Sequence, residues 1–167
     1  RRHRDDEAMA HLNRAIEINP NYAQAYLWRA DVYDELHDFT AMLEDRERAY
    51  ELDPMSLRIS RALAYDYRSF WRPEDADRII DRMFDLRPGH ADAYLARAGN
   101  LAAHGHYAET IPVLEEDLQL HPAHQQVKGF LASMLMSMGD NDAARALGVN
   151  WVETQVAIFD QDWDKVR

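Results

Sequence analysis

The chain has 167 residues, 47% of them hydrophobic and 29% charged, which suits a folded domain with a real core and excludes an intrinsically disordered chain. Its formal net charge of −11 opposes nonspecific attraction to nucleic acid or anionic membrane, since neutralising phosphates takes a basic surface. There is no cysteine, which excludes disulfides, thiolate metal sites and cysteine nucleophiles, and no apolar run approaches the roughly 20 residues that span a bilayer.

The chain opens on Arg1-Arg2-His3-Arg4 followed by Asp5, Asp6 and Glu7, an acidic trio placed as a helix's first turn prefers. Ala8, Leu12, Ala15 and Ile16, with Met9, then mark an apolar stripe at helical spacing. Asn19-Pro20-Asn21 ends it, because proline cannot continue the hydrogen-bond ladder. A full unit follows. The spacing predicts a helix over 23–36 with Ala25, Tyr26, Ala30 and Tyr33 inward, a tight turn at His37-Asp38, and a partner helix from Phe39. The same plan restarts at Leu57, Ala91 and Gln125, and Pro20, Pro54, Pro88 and Pro122 close successive units at intervals of 34 residues. Ala30, Ala64, Ala98 and Ala132 form a column of small residues, Tyr33, Tyr67, Leu101 and Leu135 a large column three places on, and Ala8, Met42, Ala76, Thr110 and Ala144 a second, mostly small column. Small opposite large is how adjacent helices interdigitate at native density.

Irregular positions carry their own expectations. In the third unit Phe70-Trp71-Arg72-Pro73 stands where the next two have Gly105 and Gly139, and Pro73, followed by Glu74 and Asp75, is expected to start a helix. Pro112 is expected within the first turn of its own helix, where a missing donor costs little. The last unit has Val156 where its closing proline would stand, so its final helix is expected to run on through Phe159.

These columns resemble the tetratricopeptide repeat, a 34-residue pair of antiparallel helices, and the likeness covers essentially the whole chain. It implies an all-α, right-handed superhelical solenoid of half a repeat plus four: residues 1–20, the second half of a repeat; 23–56, 57–90 and 91–124, full repeats; and 125–167, a last repeat with an extension, in one domain. Ser60 and Lys128 depart from the pattern at an aromatic position, and Met83, Asp117 and Trp151 at a late alanine. The resemblance also implies a concave groove lined by the first helix of each unit, presenting Gln24, Leu27, Asp31 and Asp34, then Arg58, Arg61, Tyr65 and Arg68, then Asp92 and Leu95 with Gly99 and Ala102, then Gln126 and Ser133 with Gly129 and Met136. Some family members clamp the C-terminal carboxylates of heat-shock chaperones with lysines and asparagines on this surface. Leu27, Asp31, Arg61 and Tyr65 stand at the matching positions here, so that clamp is absent.

Arg58, Arg61, Tyr65 and Arg68 follow at spacings of 3, 4 and 3, which places them on one helix face within an arc of roughly 80°. This cationic island fits an acidic segment of a partner, although Asp31, Asp34, Glu35 and Asp92 on neighbouring units could neutralise it. Arg29 faces its partner helix and is expected to pair with Asp45, because an unpaired buried charge is costly; Arg97 is expected to use Glu115 or Glu116. Histidines occur as His104-Gly105-His106 and His121-Pro122-Ala123-His124, in turns expected at opposite helix ends, so no four-ligand metal set is expected to converge. No phosphate loop, nucleophile elbow or His-Glu-x-x-His motif occurs, so neither a catalytic set nor a cofactor is expected.

The function expected is a protein–protein interaction scaffold that binds a peptide or helix in its groove. Its alternatives are an assembly protein that oligomerises through its ends and convex face, and an interaction domain accessory to a larger enzyme. Because the chain opens inside a repeat, it reads as a fragment, and self-association through the strip of Met9, Leu12 and Ile16 is expected. Neither nucleic acid nor membrane is an expected partner of this stretch. Localisation stays open, the lack of cysteine leaning toward the cytoplasm.

Overall fold

The computed structural model describes residues 2–159, and the chain divides into two compact units, one ending at Pro88 and one starting at Gly89. The first contains α1 (Arg2–Ile18), α2 (Ala23–Glu35), α3 (Phe39–Leu52), α4 (Leu57–Ser69) and α5 (Pro73–Leu86). The second contains α6 (Ala91–Ala103), α7 (Tyr107–Leu120), α8 (Gln125–Ser137), α9 (Asn141–Ala146) and α10 (Val152–Phe159). Within each unit every helix packs on the next in sequence, so the fold is all-α, with the repeated helix pairs of a solenoid. No helix of the described residues is long and apolar enough to cross a membrane.

The columns read from the sequence are the contacts of the core. Ala30, Ala98 and Ala132 are fully buried and Ala64 nearly so; Met42, Ala76, Thr110 and Ala144 are buried beside them. In the first unit Leu27, Ala49 and Ile59 close around one another, and in the second Ala98, Leu114, Val127 and Leu131 do the same. α1, α3, α5 and α7 each end two residues before a repeat proline, as expected where proline drives its predecessor out of the helical region. On α1, Met9, Leu12 and Ile16 are half-buried and Ile18 is exposed.

The turns inside the repeats share one hydrogen-bond pattern. The amides of Asp38, Arg72, His106 and Asp140 reach back to the carbonyls of Tyr33, Tyr67, Leu101 and Leu135 at 2.8–2.9 Å, closing each first helix in a Schellman motif. That motif needs one residue in the left-handed region. Gly105 (φ 83°) and Gly139 (φ 84°) supply it in the second unit, but His37 (φ 61°) and Trp71 (φ 57°) supply it in the first.

Pro73 is the first residue of α5, as expected, with Glu74 and Asp75 in the first turn. Two expectations fail. Pro112 lies inside α7 rather than in its first turn, because the helix already begins at Tyr107; the Ala108 carbonyl is therefore left without its usual donor. The final helix does not run unbroken to Phe159. α9 stops at Ala146, and Gly148 (φ 65°) turns the chain before α10 starts at Val152. Burial of Val152 and Val156 against Ala132 and Ala144 holds α10 in place.

Candidate interaction surface

α4 is capped by Ser56, whose hydroxyl accepts from the Ile59 amide at 3.5 Å, satisfying a donor that the first turn leaves open. Ile59, Ser60, Leu63 and Ala64 bury one face of the helix. Arg58, Arg61 and Tyr65 are left exposed on the other, and Arg68 is half-buried. The Arg68 guanidinium lies 4.6 Å from the centroid of the Tyr65 ring, a cation–π distance that fixes both side chains on one surface.

Across from this face α2 contributes Asp31 and Asp34, and the space between forms an open cleft of about 360 Å³. Leu27 lies at its floor but is only 2% exposed, because it packs in the core; of the expected groove residues it is a floor rather than an accessible contact. Arg46 of α3 rises through the floor. Its Nε donates to Asp66 Oδ2 at 2.7 Å and its Nη1 to Asp31 Oδ1 at 2.8 Å, while the Leu27 carbonyl accepts a further bond at 3.3 Å. Burial works against the Arg46 charge, but Asp66 and Asp31 more than offset it and hold its pKa above the ordinary arginine value. Asp31, one of the acids that could have neutralised the island, thus directs an oxygen to Arg46 beneath it. The cleft is lined by three cations, Arg46, Arg58 and Arg61, and three anions, Asp31, Asp34 and Asp66, with the cations of α4 at the rim and the ion pairs at the base.

Arg46 and Asp66 were missed in the sequence. The signal was available: Arg46 shares its column with Ile80, Leu114 and Gly148, and Asp66 shares its own with Val32, Asn100 and Met134. The expected Arg29–Asp45 pair is present and bidentate, Nε to Oδ2 at 2.6 Å and Nη2 to Oδ1 at 2.8 Å. Arg29 also donates to Asn13 Oδ1 at 2.7 Å, so α1, α2 and α3 meet at one guanidinium. The bond to Asp45 raises its pKa, against a smaller opposing effect of burial.

The remaining expected groove residues are dispersed. Gln24 is half-buried with its Nε2 atom enclosed and unpartnered. In the second unit Asp92 and Leu95 are half-buried, Leu95 against the core cluster, and Gly99 is buried. Gln126 and Ser133 are exposed on α8. Ser133 and Met136 border an open hollow of about 410 Å³ with Trp151 and Gln155, and a Cβ on Gly129 would stand 3.9 Å from the Trp151 indole nitrogen. The segment following α9 therefore lies against the very face of α8 that the repeat plan assigns to the groove.

The histidine pairs are engaged locally. His104 Nδ1 is 2.8 Å from the Asn100 carbonyl, and His106 Nδ1 is 2.9 Å from Glu109. His121 and His124 both turn Nδ1 to the fully buried Asp117 carboxylate, at 2.9 and 2.7 Å. Among the described residues no group of three or more metal-capable side chains is brought together.

Known proteins share these features to different depths. A family model described as "TPR repeat" matches residues 2–36, and one described as "Tetratricopeptide repeat" matches residues 23–54. A UDP-N-acetylglucosamine–peptide N-acetylglucosaminyltransferase of Giardia intestinalis is 42% identical over 48 residues. That stretch is 29% of this chain and only 3% of the transferase. A tetratricopeptide repeat protein from Parabacteroides merdae superposes over 99% of this chain and 70% of its own, with a TM-score of 0.80 at 16% identity. YrrB, described as a TPR protein with an unusual peptide-binding site, superposes over 87% of this chain and 75% of its own, with a TM-score of 0.63 at 16% identity. At such identity the structures speak for the fold, and the matched repeats add the sequence signature. Residues 2–54 carry the tetratricopeptide repeat signature, and the chain has the fold of tetratricopeptide repeat proteins.

Proposed function

We propose that this protein-interaction scaffold holds an acidic segment of a partner protein in the cleft between α2 and α4, with Arg58, Arg61 and Arg68 as anchors and Tyr65 as a platform. The observation that carries the reading is the division of labour in the cleft: Asp31 and Asp66 bind Arg46 at the base, while the α4 arginines occupy the exposed rim. A planar guanidinium pairs with a carboxylate through two parallel bonds, and the Tyr65 ring beside Arg68 adds a rigid apolar surface. The peptide-binding site ascribed to YrrB is compatible with this use of the fold. Of the other expected groove residues, Gln24 and Asp34 extend the proposal within the first unit as secondary contacts; Asp92, Leu95, Gln126 and Ser133 belong to the second unit.

In a complex recovered by affinity capture, Arg61→Glu is expected to weaken binding by about 1–3 kcal/mol, and raised salt to weaken it as well. Calorimetry on the purified pair checks both. Unchanged affinity for Arg61→Glu assigns the island to the scaffold. A second reading, an interaction domain accessory to an enzyme, is favoured by the short stretch shared with the Giardia transferase. It predicts that the chain alone transfers no sugar from UDP-N-acetylglucosamine yet still binds its acidic partner, and turnover by the purified chain would overturn it.

A further inference from the structure

The cleft between α2 and α4 carries opposite charges on its two rims. Asp31 and Asp34 stand three residues apart on α2, and Arg58 and Arg61 three apart on α4, so each pair shares one helix face. Asp34 and Arg58 are both exposed, and among the described residues neither side chain forms an ion pair or hydrogen bond. The two line about 360 Å³ of open space without meeting across it. Around Arg46 the charges do not cancel either. Asp31 and Asp66 both bind its guanidinium, and Asp34 adds a third carboxylate near enough to act on Asp66. Burial raises the Asp66 pKa, Arg46 works the other way, and Asp34 and Asp31 add to the rise. Three carboxylates thus stand against one buried guanidinium, and a cation brought in beside Asp34 would relieve the surplus. A further carboxylate on the α2 rim would meet repulsion, whereas on the α4 rim it would meet Arg58.

We infer that the cleft takes a segment of a partner protein in which acidic and basic residues alternate, its carboxylates seated on Arg58 and the α4 rim, its cations beside Asp34 on the α2 rim. The inference rests on the reading that the α4 arginines anchor partner carboxylates, and it adds a cation requirement on the facing helix. An extended chain turns successive side chains to opposite sides. One strand lying along the cleft therefore presents acids to one rim and bases to the other only where the two alternate. A purely acidic strand would press every second side chain toward Asp31 and Asp34, and a purely basic one would oppose Arg58.

The probe is an end-capped nonapeptide of alternating glutamate and lysine. It is compared with the same peptide carrying acetyl-lysine in place of lysine, and with one that gathers the same residues into an acidic block and a basic block. Calorimetry is expected to show saturable binding of the alternating peptide, and at least tenfold weaker binding of the other two. Asp34→Asn should weaken the alternating peptide at least fivefold without weakening the acetyl-lysine peptide. That pattern separates a local contact from the net charge of −11, because losing one carboxylate reduces the general repulsion of an acidic peptide. Asp34 is exposed and its side chain bonds to nothing among the described residues, so the change tests binding rather than folding. Arg58→Gln should weaken both the alternating and the acetyl-lysine peptides. If the acetyl-lysine peptide binds as tightly as the alternating one and both depend on Arg58, the inference is overturned while the acidic-segment reading stands. Equal affinity for the block peptide, or undiminished binding of the alternating peptide by Asp34→Asn, also overturns the inference alone. If Arg58→Gln changes no affinity, or none of the peptides binds, the inference and the reading beneath it fail together.

Discussion

Arg46 and Asp66 place a charged pair, each side chain 7% exposed, where other repeats have an apolar or amide side chain. Such a pair is sensitive to losing one member, because the survivor keeps its charge without its counter-charge. Asp66→Ala leaves Arg46 with Asp31 alone and is expected to destabilise the protein by about 3 kcal/mol. The double change Arg46→Leu with Asp66→Met uses residues that the same columns already carry as Leu114 and Met134, and should recover most of that loss. Urea denaturation of the three proteins checks the pair; equal losses for the single and double variants would contradict it. The left-handed His37 and Trp71 are the other residue-scale departure, each costing on the order of 1 kcal/mol relative to glycine.

At the scale of elements, the joint between α3, α4 and the turn before α5 is made by Tyr67, Glu47 and Arg72. The Tyr67 hydroxyl donates to Glu47 Oε1 at 2.9 Å, and Arg72 reaches the same oxygen at 3.4 Å. Burial, and then the bond to Glu47, push the Tyr67 pKa up to about 12. An unfolded tyrosine ionises near 10, so the stabilisation is complete below about pH 10 and is lost as pH rises toward about 12. Tyr67→Phe should therefore be less stable than the native protein at pH 9 and lose stability less steeply between pH 10 and 12. Urea midpoints across that range test it, and parallel declines would show that Tyr67 does not retain its proton. Element limits were largely legible in the sequence, since a 34-residue period repeats proline, the small columns and the turn together. The break at Gly148 was not, because a glycine in the column of Ile80 and Leu114 reads as a packing change until its positive φ is known. The rim of the cleft was legible for a similar reason: spacings of 3 and 4 define a helix face. Its floor joins residues 20 apart on different helices, and no local pattern reports that.

For the whole molecule, a net charge of −11 sets the response to salt. Like charges repel through water, and the Debye length falls from about 30 Å at 0.01 M to about 10 Å at 0.1 M. The exposed pairs Arg14–Glu17 and Arg48–Glu51 contribute little to offset this, and the buried Arg46 pairs are screened less. The urea midpoint is expected to rise as sodium chloride increases from 10 to 300 mM; a fall would mean that surface ion pairs outweigh the repulsion. An acidic peptide at the proposed cleft should weaken over the same range, because it is attracted through charge.

The turn between α7 and α8 has a chemical consequence of its own. A carboxylate oxygen only accepts, so Asp117 fixes the proton of both His121 and His124 on Nδ1. In its unprotonated form, each ring would present its Nε2 lone pair away from the carboxylate that orients it. An acylating reagent would accordingly find two imidazoles of defined tautomer in one turn, His121 the more accessible at 38% against 21%. The residue that seals the end of α7 thus also makes these two nitrogens the polarised nucleophiles of the inter-repeat turn.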